Sequence, residues 1–288
     1  MSGGPVVPPA PLYPILYEPL IRRALEEDLG RAGDLTSDAI LPPDLPAEAN
    51  IVARAAGRLA GLPIALSTFQ LLDSSIEIEA FATDGEDIEA ASVLATVRGP
   101  ARSILSAERT ALNLLGRLCG IATATRDMQA LVAPYGAHIV CTRKTTPGLR
   151  ILEKYAVRCG GGHNHRFGLD DAILIKDNHI ALAGGLRKAV ERARRAVGHL
   201  VKIEVEVDSL DQLREALDLG VDVVLLDNMP LETLREAVAL ARGRAITEAS
   251  GGINPKTAAD IAATGVDLLS VGWLTHSAPV LDVALDVS

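Results

Sequence analysis

The chain has 288 residues, enough for one large domain or two ordinary ones at roughly 150 residues each. Apolar residues make up 48% and charged residues 23%, a balance that can bury a full core and excludes wholesale disorder. Aromatics at 3% argue against a platform of stacked rings for nucleic acid. The formal net charge of −9, from 28 Lys and Arg against 37 Asp and Glu, argues against DNA or RNA as a partner.

The N-terminal stretch 1–17 is uncharged and carries five prolines, which does not fit a signal peptide. No run of about 20 apolar residues is free of charge, so no membrane span is expected and the cytoplasm is the simplest location. Residues 1–14 read as an extended arm. Leu16, Leu20, Ala24, Leu25 and Leu29 then recur at helical spacing before Gly30. Residues 33–47 read as loop. Three short strands are expected at Ile51–Ala55, Ile76–Phe81 and Val93–Val97, with a helix over Leu62–Leu72. Two helices should follow, Ser103–Leu118 and Ala122–Val132. The three cysteines, Cys119, Cys141 and Cys159, are too widely spaced for a disulfide framework or a Cys-x-x-Cys metal site, and read as buried thiols.

From residue 137 the pattern becomes regular. Apolar runs at Ala137–Cys141, Ala172–Ile175, Val201–Val207, Val221–Leu226, Ala245–Ala249 and Val266–Val271 are separated by helical stretches. This is the mark of parallel strands with right-handed crossovers. A doubly wound sheet and a barrel both satisfy it. No Gly-x-Gly-x-x-Gly turn follows the first run, which disfavours a dinucleotide fold.

Each run ends in reactive or charged residues: Thr142-Arg143-Lys144, Lys176-Asp177-Asn178-His179, Glu206 with Asp208, Asp227-Asn228, Ser250-Gly251-Gly252, and Gly272 followed by His276. Side chains at the carboxyl ends of parallel strands converge on one mouth, so this rim is expected to be an enzyme site. The basic residues Arg143, Lys144, Arg150, Lys154, Arg158, Arg166 and Lys176, and four of the six histidines, fall between His138 and His179. Such a cluster in an acidic chain suits a small polyanion, and arginine pairs bidentately with carboxylate or phosphate. A solvated helix face is the competing reading for Arg150, Lys154 and Arg158.

Gly160-Gly161-Gly162 before His165 and Arg166 suggests close backbone approach to a ligand. Zinc is disfavoured, because His163 and His165 have no carboxylate or cysteine at ligand spacing. Glu204 and Glu206 share one face of a strictly alternating strand and need a cation there. Glu206 and Asp227 could jointly hold Mg²⁺. Glycines after the last two strands could turn N–H groups toward a phosphate.

Several short motifs occur together and in order. They are Glu27 to Gly30, Gly33 to Ser37, Glu108-Arg109-Thr110 with Asn113, Thr142 to Thr145, Gly160 to Arg166, Lys176 to His179, Glu204 to Asp208, Leu226 to Asn228 and Ser250 to Gly252. In that combination the chain resembles the quinolinate phosphoribosyltransferases. The resemblance implies an α/β fold, an incomplete parallel β/α barrel over 117–276 with an N-terminal α+β sandwich domain over 1–116, to which the tail 277–288 returns.

It also implies transfer of phosphoribosyl from phosphoribosyl pyrophosphate to quinolinate with decarboxylation, in the biosynthesis of NAD. By motif match, Arg143, His165, Arg166 and Lys176 would hold the quinolinate carboxylates. Arg109 would reach the site of a neighbouring subunit, which makes a homodimer, or a higher assembly such as a hexamer, the working form. Lys144, Glu206 and Asp227 would be catalytic, the two acids holding Mg²⁺. Ser250, Gly251, Gly252, Gly272 and His276 would bind phosphoribosyl pyrophosphate. A lyase forming a Schiff base on Lys144 or Lys176 is the rival from another class.

Overall fold

A computed structural model describes residues 9–287; residues 1–8, the start of the expected arm, lie outside the described residues. In chain order the elements begin with α1 (Glu18–Leu29), α2 (Leu35–Ile40), β1 (Pro46–Ala53), β2 (Gly57–Arg58), α3 (Leu62–Leu72), β3 (Glu77–Ala80), β4 (Asp87–Ile88), β5 (Val93–Pro100) and α4 (Ala101–Val132). They continue with β6 (His138–Val140), α5 (Arg150–Cys159), β7 (Ile173–Ile175), α6 (Asp177–Ala183), α7 (Leu186–Ala196), β8 (Ile203–Val207) and α8 (Leu210–Asp218). The last are β9 (Val223–Asp227), α9 (Leu231–Ala241), β10 (Ile246–Ser250), α10 (Ala258–Ala262), β11 (Leu268–Ser270), α11 (Trp273–His276) and β12 (Val283–Val287). By packing, the chain forms two compact units. One runs up to Arg126 and includes Thr145–Gly161 and the chain from Leu274; the other holds Asp127–Lys144 and Gly162–Trp273.

In the first unit an antiparallel sheet has the order β12-β1-β5-β3. Ile51, Leu94 and Val97 join Leu62 and Phe69 of α3, Ile104 and Leu115 of α4, and Leu281 of the tail in one buried cluster. Burying such side chains stabilises by about 1.5–3 kcal/mol each. The buried line of α1 is Ile21 and Leu25, continued by Tyr17 just before the helix, while Leu16 is exposed. The expected stripe began too early, because Pro19 in the first turn sets the helix start at Glu18. The stretch read as loop contains α2. Asp34 caps it, accepting the N–H groups of Thr36 at 3.1 Å and Ser37 at 3.0 Å.

The two helices expected between 103 and 132 are one. Gly116 and Gly120 are helical residues chosen for contact: a Cβ on Gly120 would lie 1.9 Å from the carbonyl oxygen of Pro279, and one on Gly116 would lie 2.7 Å from that of Leu281. The tail packs where those side chains would be. The triple glycine has a similar cause at its first member, where a Cβ on Gly160 would lie 2.4 Å from the carbonyl oxygen of Ala122. On α5 the solvated-face reading fails for Lys154, which is 1% exposed, beside a fully buried Glu153 that pairs with Arg117 at 2.8 Å. All three cysteines are buried thiols.

The second unit holds all six expected parallel strands, in the order β6-β11-β10-β9-β8-β7. Every pairing is parallel. From β7 to β11 each strand lies beside its predecessor, and β11 then pairs with β6. A doubly wound sheet would reverse direction at an internal strand. This order runs one way round and lacks a single pairing, β6 to β7, so the sheet is a barrel left open at that seam. Among the described residues, no helix is long and apolar enough to cross a membrane.

Candidate active site

The carboxyl ends of the six strands bring most of the rim residues to one mouth of the second unit. After β6, Thr142 Oγ1 accepts the backbone N–H of Lys144 at 3.0 Å, closing the turn that carries Arg143 and Lys144. The Lys144 stem crosses Gly272, where a Cβ would stand 2.9 Å from Lys144 Cδ. That contact explains the glycine after β11 without invoking a ligand.

Arg143 is half-buried, and its Nε is enclosed without a hydrogen-bond acceptor among the described residues. Arg166 donates from Nη1 to the carbonyl oxygen of Ala172 at 3.2 Å. Burial first, and then the Arg143 guanidinium, hold Arg166 below the usual arginine range; Glu204 and Asp171 act the other way. Two guanidiniums are thus kept together against their repulsion, one of them with a buried donor to spare. Such a pair is built for an anion with two acceptor groups.

On the β7 and β8 side, the Lys176 ammonium pairs with the Glu206 carboxylate. Glu206 and Asp227 line one cavity of about 240 Å³ together with Asp177 and Asp208. Asp227 is oriented by two donors, Ser250 Oγ at 2.5 Å and Asn228 Nδ2 at 2.8 Å. Gly251 and Gly252 have φ of +95° and +62°. A Cβ on Gly251 would lie 2.0 Å from Asn228 Oδ1, so the glycine is required by both conformation and space. Hard carboxylate oxygens converging on a cavity are the donor set Mg²⁺ takes, so Glu206 and Asp227 fit that ion.

His165 lies deeper. Its Nδ1 accepts the Arg166 backbone N–H at 2.7 Å, and its Nε2 lies 2.8 Å from Glu204 Oε2 and 3.7 Å from Glu248 Oε1. No carboxylate stands at ligand spacing from this histidine in the sequence, yet β8 and β10 deliver two from distant sequence. Burial first, and then the neighbouring Glu204 carboxylate, push Glu248 up to about 7. Ser270 Oγ donates to Glu248.

Arg109 and His276 belong to the first unit. Arg109 stands exposed on α4, 3.8 Å from Glu108. His276 Nδ1 lies 2.6 Å from Ser277 Oγ. Sequence reasoning left Glu248 out of the site and gave Glu204 only an inward face in need of a cation, not a site role. The usable signal was a charged residue in mid-strand on the inward alternation, which a barrel tolerates only where it has a partner.

Models of the quinolinate phosphoribosyl transferase N-terminal and C-terminal domains match residues 34–119 and 121–286. The chain belongs to the quinolinate phosphoribosyl transferase family. Within that family it is 47% identical over 269 residues to a Bacillus subtilis protein named a probable nicotinate-nucleotide pyrophosphorylase (carboxylating), covering 93% of this chain and 92% of that one. It is 44% identical over 275 residues to the nicotinate-nucleotide pyrophosphorylase (carboxylating) of Mycobacterium leprae, covering 93% and 95%. The crystal structure of NadC from Streptococcus pyogenes superposes with a TM-score of 0.94 at 38% identity, over 97% of this chain and 99% of that one. The fold expected for the family is the one described above.

Proposed function

We propose that the chain transfers the phosphoribosyl group of phosphoribosyl pyrophosphate to quinolinate, releasing pyrophosphate and carbon dioxide and giving nicotinate mononucleotide, a step in NAD biosynthesis. The observation that carries this reading is the Arg143–Arg166 pair, which suits a rigid dicarboxylate. It stands beside an acidic cavity that suits a metal-bound diphosphate. Family membership adds the reaction named for the relatives.

The chemistry asked of the protein is modest. The pyridine nitrogen is already an unprotonated nucleophile, so no strong general base is needed. Arg143 and Arg166 fix the two carboxylates and so aim the nitrogen at the ribose carbon. Lys176 contributes charge to the same anion, and its pairing with Glu206 couples the two halves of the mouth. Lys144 faces the leaving pyrophosphate. Ser250, Gly251 and Gly252 offer donors to phosphates, with Gly272 and His276 assigned to the same ligand by their motifs. Glu206 and Asp227 would hold Mg²⁺, which when bound neutralises charge on the diphosphate. After transfer the ring nitrogen is cationic and accepts the electron pair left when carbon dioxide departs from the adjacent carbon.

The working form is a homodimer or larger assembly in the cytoplasm, with Arg109 reaching a neighbour's site. The barrel seam supports a second copy as its cover. A groove of about 460 Å³ runs along β7, flanked by Leu169 and Leu182, which are 73% and 89% exposed, with Arg166 at its lining.

The test is direct. Quinolinate, phosphoribosyl pyrophosphate and Mg²⁺ should yield nicotinate mononucleotide, and nicotinate in place of quinolinate should not. Arg143→Ala or Lys176→Ala should lower turnover at least about 100-fold while leaving the circular dichroism spectrum unchanged. Near-normal activity in either variant removes the site assignment.

A further inference from the structure

The His165 ring has both nitrogens engaged by the protein. A backbone N–H has a proton to give, so Nδ1, 2.7 Å from the Arg166 nitrogen, is the acceptor and the ring proton sits on Nε2. That proton points at Glu204 Oε2, 2.8 Å away. Glu204 itself is 7% exposed, in mid-strand of β8. Ser270 Oγ holds Glu248 beside the pair. Three potential ligands with atoms within 4.8 Å of one another could suggest a metal. The 2.8 Å separation is instead that of a direct hydrogen bond between Nε2 and Oε2, while Glu204 Oε1 is buried with no hydrogen-bond partner among the described residues.

We propose that Glu204 is a positioning residue: by accepting the Nε2–H of His165 it locks the imidazole against the barrel interior, and the ring in turn holds the Arg166 backbone so that the guanidinium stays beside Arg143. A chain of two hydrogen bonds thus ties an interior strand to the anion clamp. The connection matters because Arg166 is kept close to a like charge and needs an external restraint. This inference rests on the proposed quinolinate site, since the clamp is what the restraint serves.

The experiment has two arms. In the protein without substrate, ¹⁵N-resolved NMR of the His165 ring should show one tautomer, protonated at Nε2 and bare at Nδ1. A ring protonated at Nδ1 overturns the proposal. In steady-state kinetics, Glu204→Ala should raise KM for quinolinate roughly 10- to 100-fold and leave KM for phosphoribosyl pyrophosphate within about twofold. Glu204→Gln, whose amide oxygen can still accept the Nε2 proton, should recover most of that loss.

Glu204→Gln as impaired as Glu204→Ala, or Glu204→Ala indistinguishable from wild type, sinks the positioning role. If Glu204→Ala does not fold, the wild-type tautomer and the Glu204→Gln kinetics decide alone. A wild-type protein with the expected tautomer and no turnover of quinolinate refutes the reaction, not the restraint; turnover with the wrong tautomer refutes only the restraint.

Discussion

A carboxyl group inside a barrel is held there at a cost that depends on pH. Glu248 is 3% exposed, and its proton is retained up to about 7, where an ordinary glutamate lets go near 4.5. Between those two values the native state binds the proton more tightly than the unfolded chain does. The contribution of this group to stability therefore falls as pH rises through that window and is level above it. Glu248→Gln removes the titration while keeping a carbonyl for Ser270. Its stability relative to wild type should rise between pH 5 and pH 8, by an amount on the order of 3 kcal/mol. Urea denaturation at the two pH values measures this, and an equal difference at both would show that the buried carboxyl does not titrate in that range. A charged residue in mid-strand was the one sign of it in the sequence, and its partners were not legible there. Its strand, Ile246 to Ser250, reads as one more apolar run, and its partners Glu204, His165 and Ser270 come from three other places in the chain.

Elements were legible where one face alternates or repeats, and misread where a glycine or a cap decided the outcome. The six strands of the barrel and α3 follow directly from apolar periodicity. In contrast, α2 depends on the side chain of Asp34, and α4 passes through two glycines that punctuate other sequences. Those glycines answer to the tail, which is distant in sequence and adjacent in space, and which no local window can see. The point has a test with an unusual sign. In an isolated helix Gly120→Ala would gain about 1 kcal/mol of propensity. Here the new methyl would meet the Pro279 carbonyl at 1.9 Å, and pushing back the tail should cost more than is gained. A net loss of roughly 2–3 kcal/mol is expected from overpacking. Thermal unfolding at a lower temperature than wild type bears this out; an unchanged or raised midpoint means the tail is not held against α4.

For the molecule as a whole, the charge of −9 argued against phosphate polymers, yet the basic residues gather where a small dianion would be met and the acids Glu206 and Asp227 line the cavity beside it. Net charge speaks for long-range encounter, and local arrangement decides what is bound at short range. Quaternary structure is not written in any periodicity of the sequence: Arg109 is an exposed arginine on a helix, and the proposed assembly would give it a purpose. Mixing two inactive proteins tests that purpose. On the proposed assembly, Arg109→Ala lacks the residue lent to a neighbour, and Lys144→Ala lacks one belonging to its own site. In a mixed dimer the first subunit keeps Lys144 and receives Arg109 from the second, so one site of two is intact. Random reassortment makes about half of the dimers mixed, so co-refolding equal amounts should return about a quarter of wild-type activity. If Arg109 instead serves its own subunit, each mixed dimer carries one site without Arg109 and one without Lys144, and no activity returns at any mixing ratio.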